Sequence, residues 1–289
     1  MSGYLRARTL EEALEARAAR PLTVLAGGTD VYPAHTARVA WGRMARPDIL
    51  DIGGLVELHG ISDDGDRIRI GALATWSEIA RAGLPPVFDG LRAAAREIGG
   101  AQIQNRGTLA GNLCTASPAG DGIPCLMSLD ASVELASVRG RRTVPVEAFN
   151  HGYRATLLSP DEIVTALTVP RGEQGEAGAF LKLGARRYLV ISIAMVAGTL
   201  ALDAAGRIAR VRIAVGACAP AARRLRALEA RLAGLDPDTA AATVTAADLQ
   251  GLSPIDDIRA SADYRLEAAR ALVGDLLADL SGSLSRRAA

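Results

Sequence analysis

The sequence predicts a mixed fold of strands and helices in two parts, the second an antiparallel sheet covered by helices. Three observations carry that prediction. Short apolar runs alternate with capped helical segments as far as Pro170. The charged, glycine-rich segment Arg171–Gly178 (RGEQGEAG) then breaks the pattern, as a domain boundary does. Beyond it, Ser192–Asp203 and Ile208–Ala217 read as a hairpin across Ala204-Ala205-Gly206, followed by helical periodicity.

The first helix opens on Thr9-Leu-Glu-Glu12, a capping box, with Ala13, Leu14 and Ala18 on one face, and ends near Arg20-Pro21. Leu22–Leu25 follows as a short buried strand. Pro47–Ile52 and Arg67–Ile70 read as strands separated by an Asp64-Gly65 turn. Thr75-Trp-Ser-Glu78 is a second capping box, and Leu91, Ala94, Ala95 and Ile98 mark one face of a third helix. Ser132–Val138 alternates like a strand, turns at Arg139-Gly140-Arg141 and returns through Thr143–Val146. Glu162–Val169 is another apolar strand, stopped by Pro170. In the second part, Ala179–Leu183 reads as a strand, Ala221–Ala233 as a helix stopped by Gly234, and Ala260–Leu280 as a long helix.

Composition narrows the function. A chain of 289 residues, 49% of them hydrophobic, is long enough to bury a large core and to divide into two domains. A formal charge of +1 gives no electrostatic case for nucleic acid or an anionic membrane. The 3 cysteines (Cys114, Cys125, Cys218) and 3 histidines (His35, His59, His151) are dispersed, with no CxxC pair, which argues against a zinc or iron–sulfur site on this chain. An odd number of thiols fits a reducing compartment. The start, with Arg6 and Arg8 before an amphipathic helix, does not read as a secretory signal. The longest uncharged run, Tyr188–Leu202, is short for a membrane span and reads as a buried strand. The expectation is a soluble, cytoplasmic protein.

Two stretches resist both helix and strand. Ile98–Asp121 (IGGAQIQNRGTLAGNLCTASPAGD) holds five glycines, one cation, Arg106, and one carboxylate, Asp121. Its anchors Ile98, Ile103, Leu109 and Leu113 argue against disorder, so it reads as a backbone surface laid against a ligand. The other stretch, Ala26-Gly27-Gly28-Thr29-Asp30, follows the strand at Leu22–Leu25. Its amides suit a nest for phosphate oxygens, and Asp30 can accept from hydroxyls; a plain strand-to-helix turn is the competing reading. Arg106 has two readings as well, a phosphate partner or an ordinary exposed arginine. Cys114 and Cys125 read as small buried hydrophobes.

Absent signatures add to this. No G-x-G-x-x-G follows a strand, and there is no P-loop and no nucleophile elbow. A chain with two backbone-rich loops and no metal ligands or nucleophile of its own looks like a cofactor holder.

AGGTD (Ala26–Asp30), TLAGN (Thr108–Asn112), SPAGD (Ser117–Asp121), EIVTALTVP (Glu162–Pro170) and SPIDDIRASADYR (Ser253–Arg265) occur in that order. Together they resemble the FAD-binding medium subunit of the molybdenum hydroxylases, the xanthine dehydrogenase and carbon monoxide dehydrogenase family, over nearly the whole chain. The resemblance implies an α+β fold: an FAD-binding domain of the vanillyl-alcohol-oxidase (PCMH) type in two subdomains, residues 1–172, and a C-terminal domain of the CO dehydrogenase flavoprotein type, residues 176–289. It also implies a site. Val24, Leu25, Ala26, Gly27, Gly28, Thr29, Asp30 and Val31 would wrap the FAD pyrophosphate, and Thr108, Leu109, Ala110, Gly111 and Asn112 would form a second pyrophosphate loop. Asp121 would bind the ribityl or ribose hydroxyls, Ser117 would belong to the same cofactor site, and backbone near Val164 would meet the adenine. Lys182 would approach the flavin, where a cation stabilises the anionic reduced ring, with an ordinary surface charge as the competing reading. Tyr188 would stack on the ring or pack in the core, and Ile103 would sit near the ring or fill the core.

By the same resemblance the FAD is non-covalent and is the redox centre. Electrons would come from a small subunit with 2Fe–2S clusters, after a large molybdopterin subunit oxidises the substrate, in a heterotrimer or its dimer. They would leave to NAD+, a quinone or oxygen. No extra cysteine-bearing loop for a further cluster is present. A self-contained flavin oxidase of the same fold and a scaffold without flavin are the alternatives.

Overall fold

The computed structural model describes residues 3–40 and 47–288. Its first sheet is small and parallel. β1 (Tyr4–Arg6), α1 (Leu10–Ala19), β2 (Thr23–Leu25), α2 (Val31–Ala40) and β3 (Ile49–Asp51) give the strand order β1-β3-β2. The Thr9 hydroxyl accepts the Glu12 amide at 3.2 Å, but the Glu12 carboxylate reaches back to the amide of Arg8 (2.8 Å) instead of Thr9. Only half of the expected box forms. Leu10 and Ala13 are the buried residues of α1.

The second sheet has five antiparallel strands, in the spatial order β4 (Ile61–Asp63), β5 (Arg67–Gly71), β10 (Ile163–Pro170), β6 (Ser132–Ser137) and β7 (Gly140–Pro145). β4 (Ile61–Asp63) and β5 (Arg67–Gly71) are the pair closed by Asp64-Gly65. That turn therefore does not join β3 to β5, as the sequence suggested, because β3 belongs to the parallel sheet. α3 (Trp76–Arg81) starts with a complete Thr75/Glu78 capping box and is followed by α4 (Asp89–Glu97). β6 (Ser132–Ser137) and β7 (Gly140–Pro145) form the expected hairpin. α8 (Val146–Phe149) and a small hairpin, β8 (Asn150–Gly152) with β9 (Ala155–Thr156), lead to the central strand, β10 (Ile163–Pro170).

Ile98–Asp121 is not the uniform loop its composition suggested. It contains α5 (Ala101–Gln104) and α6 (Leu109–Thr115), and α7 (Gly122–Ser128) starts at its end. Thr108 caps α6 by accepting the Gly111 amide. Of its five glycines only Gly99 is left-handed (φ +54°). The others serve close packing, which helices tolerate better than composition implies.

The second part is a sheet in the order β11-β12-β13-β14: β11 (Ala177–Leu183), β12 (Ala194–Leu202), β13 (Ile208–Gly216) and β14 (Arg223–Arg224). α9 (Arg226–Leu232) is shorter than the expected Ala221–Ala233, because Arg223 and Arg224 pair with β13. After α10 (Pro237–Ala240), α11 (Ala262–Ala288) covers β11 and β12. The uncharged run at 188–202 is a strand only from Ala194. Tyr188, Leu189 and Ile191 before it are exposed, so the buried-strand reading fails for them.

The two parts pack backbone to backbone. A Cβ on Gly90 in α4 would come within 2.6 Å of the Ala179 carbonyl oxygen, and one on Gly178 would overlap that of Val87. α7 lies across β12 and β13. These contacts hold the start of α7, with Asp121, against the end of β11, with Lys182. Among the described residues no helix is long and apolar enough to cross a membrane.

Candidate functional site

The site grows from the carboxyl end of β2. Gly28 turns left-handed (φ +78°), the reversal that a nest of amides requires. None of the amides of Ala26, Gly27, Gly28, Thr29 and Asp30 donates to a protein acceptor among the described residues. Five consecutive donors without an internal partner demand water or a ligand.

Thr108 and α6 face this loop. An isolated bridge between Thr75 and Thr108 holds them in place. Here most amides are already committed: Gly107 to Ile103 (2.6 Å), Leu109 to Ala74 (3.3 Å) and Asn112 to Thr108 (3.0 Å). Gly111 donates to the Thr108 hydroxyl (3.0 Å). The two loops also touch, since a Cβ built on Gly27 would fall inside the Arg106 carbonyl oxygen. They are unequal partners: the first supplies free donors and the second supplies a wall.

A cleft of about 350 Å³ is lined by Val24, Ala26, Gly27, Gly28, Thr29, Asp30, Val31, Ile103, Thr108, Gly111 and Asn112. Trp76, Ile98, Cys114, Thr115 and Arg154 complete it, and sequence reasoning missed all five as site residues. Gly111, Cys114 and Thr115 are spaced i, i+3, i+4, a signal that becomes readable once the stretch is treated as a helix. Cys114 is thus exposed and not the buried packing residue expected; Cys125 and Cys218 are buried.

A second cavity of about 350 Å³ shares Ala26, Gly27 and Thr108 with the first. It opens at the carboxyl ends of the parallel strands, beside Arg6, Leu25 and Asp51, with Tyr4, Tyr32, His59 and Arg106 around it. The crevice outside the carboxyl ends of parallel strands is a general ligand position.

Several expected residues lie outside these cavities. Leu109 and Ala110 are buried in α6, and Val164 is buried in β10, in the core. Ser117 lines a separate cavity with Ser192 and Arg265. Tyr188 is 61% exposed, under the Arg187 guanidinium at 5.2 Å, which rules out the core-packing reading.

Asp121 and Lys182 find each other. Lys182 Nζ donates to Asp121 at 2.6 Å, and so does Ser192 Oγ. Burial pushes the Asp121 carboxyl up from its usual 3.8, opposed by Lys182 and Ser192. At the cleft mouth, Arg154 binds both carboxylate oxygens of Asp30, at 3.1 and 3.2 Å, and that hydrogen bonding raises the guanidinium's pKa. No cluster of three or more metal-ligating side chains occurs among the described residues.

Comparison with known proteins agrees with this geometry. Residues 1–172 match the FAD binding domain in molybdopterin dehydrogenase, and residues 179–280 match the CO dehydrogenase flavoprotein C-terminal domain. The chain is 38% identical to the nicotinate dehydrogenase FAD-subunit of Eubacterium barkeri, over 69% of this chain and 68% of that one. It is 33% identical to a putative xanthine dehydrogenase FAD-binding subunit of Escherichia coli, over 96% and 95%. Its structure is similar to a chain of carbon monoxide dehydrogenase from Hydrogenophaga pseudoflava, with a TM-score of 0.88, 27% identity and 98% of each chain covered. The chain belongs to the FAD-binding medium subunits of the molybdenum hydroxylases, the xanthine dehydrogenase and carbon monoxide dehydrogenase family.

Proposed function

We propose that this chain holds FAD non-covalently and serves as the electron-transferring flavoprotein subunit of a molybdenum hydroxylase complex in the cytoplasm. The observation that carries this reading is the run of five unpartnered amides, Ala26–Asp30, at the end of a parallel strand and flanked by two cavities that share Ala26, Gly27 and Thr108. Those donors fit a diphosphate, and Gly27 keeps the two walls in register.

Val24–Val31 would hold the diphosphate, with Thr108–Asn112 as the opposing wall. Ser117, Asp121 and Lys182 would serve the hydroxyl-bearing and ring portions, Ile103 and Tyr188 the ring surroundings, and Val164 would act through its backbone. Bound FAD supplies two-electron storage with one-electron exchange. The protein's part is to bind it and to orient it, with Lys182, held in its ion pair with Asp121, on the side of the ring. The division of labour follows residues 1–172, for the cofactor, and 176–289, which closes the site.

In this reading a small 2Fe–2S subunit delivers electrons from a large molybdopterin subunit, and NAD+, a quinone or oxygen removes them. The test is purification of the chain with FAD and with its two partners. Quenched flavin fluorescence in the chain and a brown three-polypeptide complex are expected. A chain that shows no flavin band and no quenching after refolding with FAD overturns the proposal.

A further inference from the structure

Arg154 stands on the turn between β8 and β9 at φ +50°, and its amide donates at 3.0 Å to the carbonyl of Ala116, which is at φ +47°. Two left-handed residues that are not glycine, joined to each other, cost backbone energy that the surroundings must over-determine. Such strain collects at ligand sites. The guanidinium meets Asp30 as a bidentate pair, and both residues line the cleft that Ala26–Thr29, with their unpartnered amides, also line.

Charge decides what this pair does. The amides attract an anion, while the Asp30 carboxylate at the end of the same loop repels it. Arg154 is the basic partner of Asp30 among the ion pairs of the described residues. We infer that Arg154 is a positioning residue for cofactor binding: it cancels and aims the Asp30 carboxylate, so that a dianionic diphosphate and a carboxylate can share one cleft. The inference rests on the FAD reading above. A bare carboxylate well inside one Debye length of a diphosphate, where screening is weak, weakens binding by about tenfold.

The test measures FAD affinity by fluorescence quenching for the wild-type chain, Arg154→Gln, Arg154→Lys, Asp30→Asn and the Asp30→Asn/Arg154→Gln double variant, at low and high salt. Arg154→Gln should bind about tenfold more weakly at low salt, with the deficit shrinking at high salt. Arg154→Lys, which keeps the charge but not the fork, should fall between wild type and Arg154→Gln, and the double variant should recover the affinity. Unchanged affinity in Arg154→Gln overturns the proposal. So does a double variant as weak as Arg154→Gln, because Arg154 would then act on the cofactor or the fold without Asp30. Gly27→Val is the control for the site itself: FAD binding that survives it overturns the location of the cleft, a separate failure that takes the proposal with it.

Discussion

The carboxylate of Asp121 is shared by Lys182 and Ser192, each donating at 2.6 Å to a different oxygen. The side chains of Lys182 and Asp121 are 8% and 5% exposed. The pair joins the start of α7 to the end of β11, so an ion pair sealed from solvent pins one part of the chain to the other. Its net worth against an apolar pair is small, but each charge depends on the other.

Removing one partner strands its mate. Asp121→Ala and Lys182→Met are each expected to cost about 3–5 kcal/mol of stability, measured from urea midpoints. The Asp121→Asn/Lys182→Met double variant should cost less than Lys182→Met alone. Single variants within ~1 kcal/mol of wild type would mean that the pair is hydrated in solution.

Acid should reveal a second pair. Hydrogen bonds from Arg142, aided by the Ser159 amide, hold the Glu162 carboxyl down from 4.5 to about 2. A depressed carboxyl stabilises the fold above its unfolded pKa, and that contribution is lost as pH falls from 4.5 towards 2. Arg142 is half in solvent, so the pair is worth on the order of 1 kcal/mol. Thermal unfolding of Glu162→Gln should show the full deficit at neutral pH and a closing gap below pH 4.5. Asp121 has the opposite sign: its raised carboxyl favours the fold fully below 3.8 and loses that contribution as pH rises through the raised value.

The two glycines of the site should differ. A Cβ at Gly27 collides with the Arg106 backbone, whereas one at Gly111 meets only the Thr108 hydroxyl, at 2.8 Å. Gly27→Ala should therefore lower flavin content sharply. Gly111→Ala should cost about 1 kcal/mol of helix capping and retain most of the flavin. Equal flavin content in the two proteins would remove the special role given to Gly27.

Arg224 offers a test away from the site. Its guanidinium donates to the Met127 carbonyl (3.0 Å), to Asp130 (2.8 Å) and to both oxygens of Glu229 (2.6 and 2.7 Å). Arg224→Met should destabilise the chain by about 3 kcal/mol, and Arg224→Lys should rescue little, because an ammonium lacks the planar fork. Stability in Arg224→Lys close to that of wild type would show that charge alone suffices there.

Local chemistry made much of the fold legible in advance. The Thr75 box, the Asp64-Gly65 and Arg139-Gly140 turns and the β12–β13 hairpin depend on neighbours in sequence, so residue types announce them. Ala26–Asp30 was readable for the same reason, since a strand that ends in two glycines leaves amides uncommitted. Ile98–Asp121 misled because glycine content signals backbone freedom, while here most of those glycines permit close packing inside and beside short helices.

By itself the sequence determined the two-part organisation, a glycine loop after β2 and a chain built to hold a cofactor. Only the tertiary structure decided that Asp121 and Lys182 neutralise each other, that Arg154 answers Asp30 and that Cys114 faces the cleft. Pairing across such distances in the chain depends on which surfaces are buried together. Burial removes the water that would otherwise satisfy each charge alone, and no local pattern of residues records it.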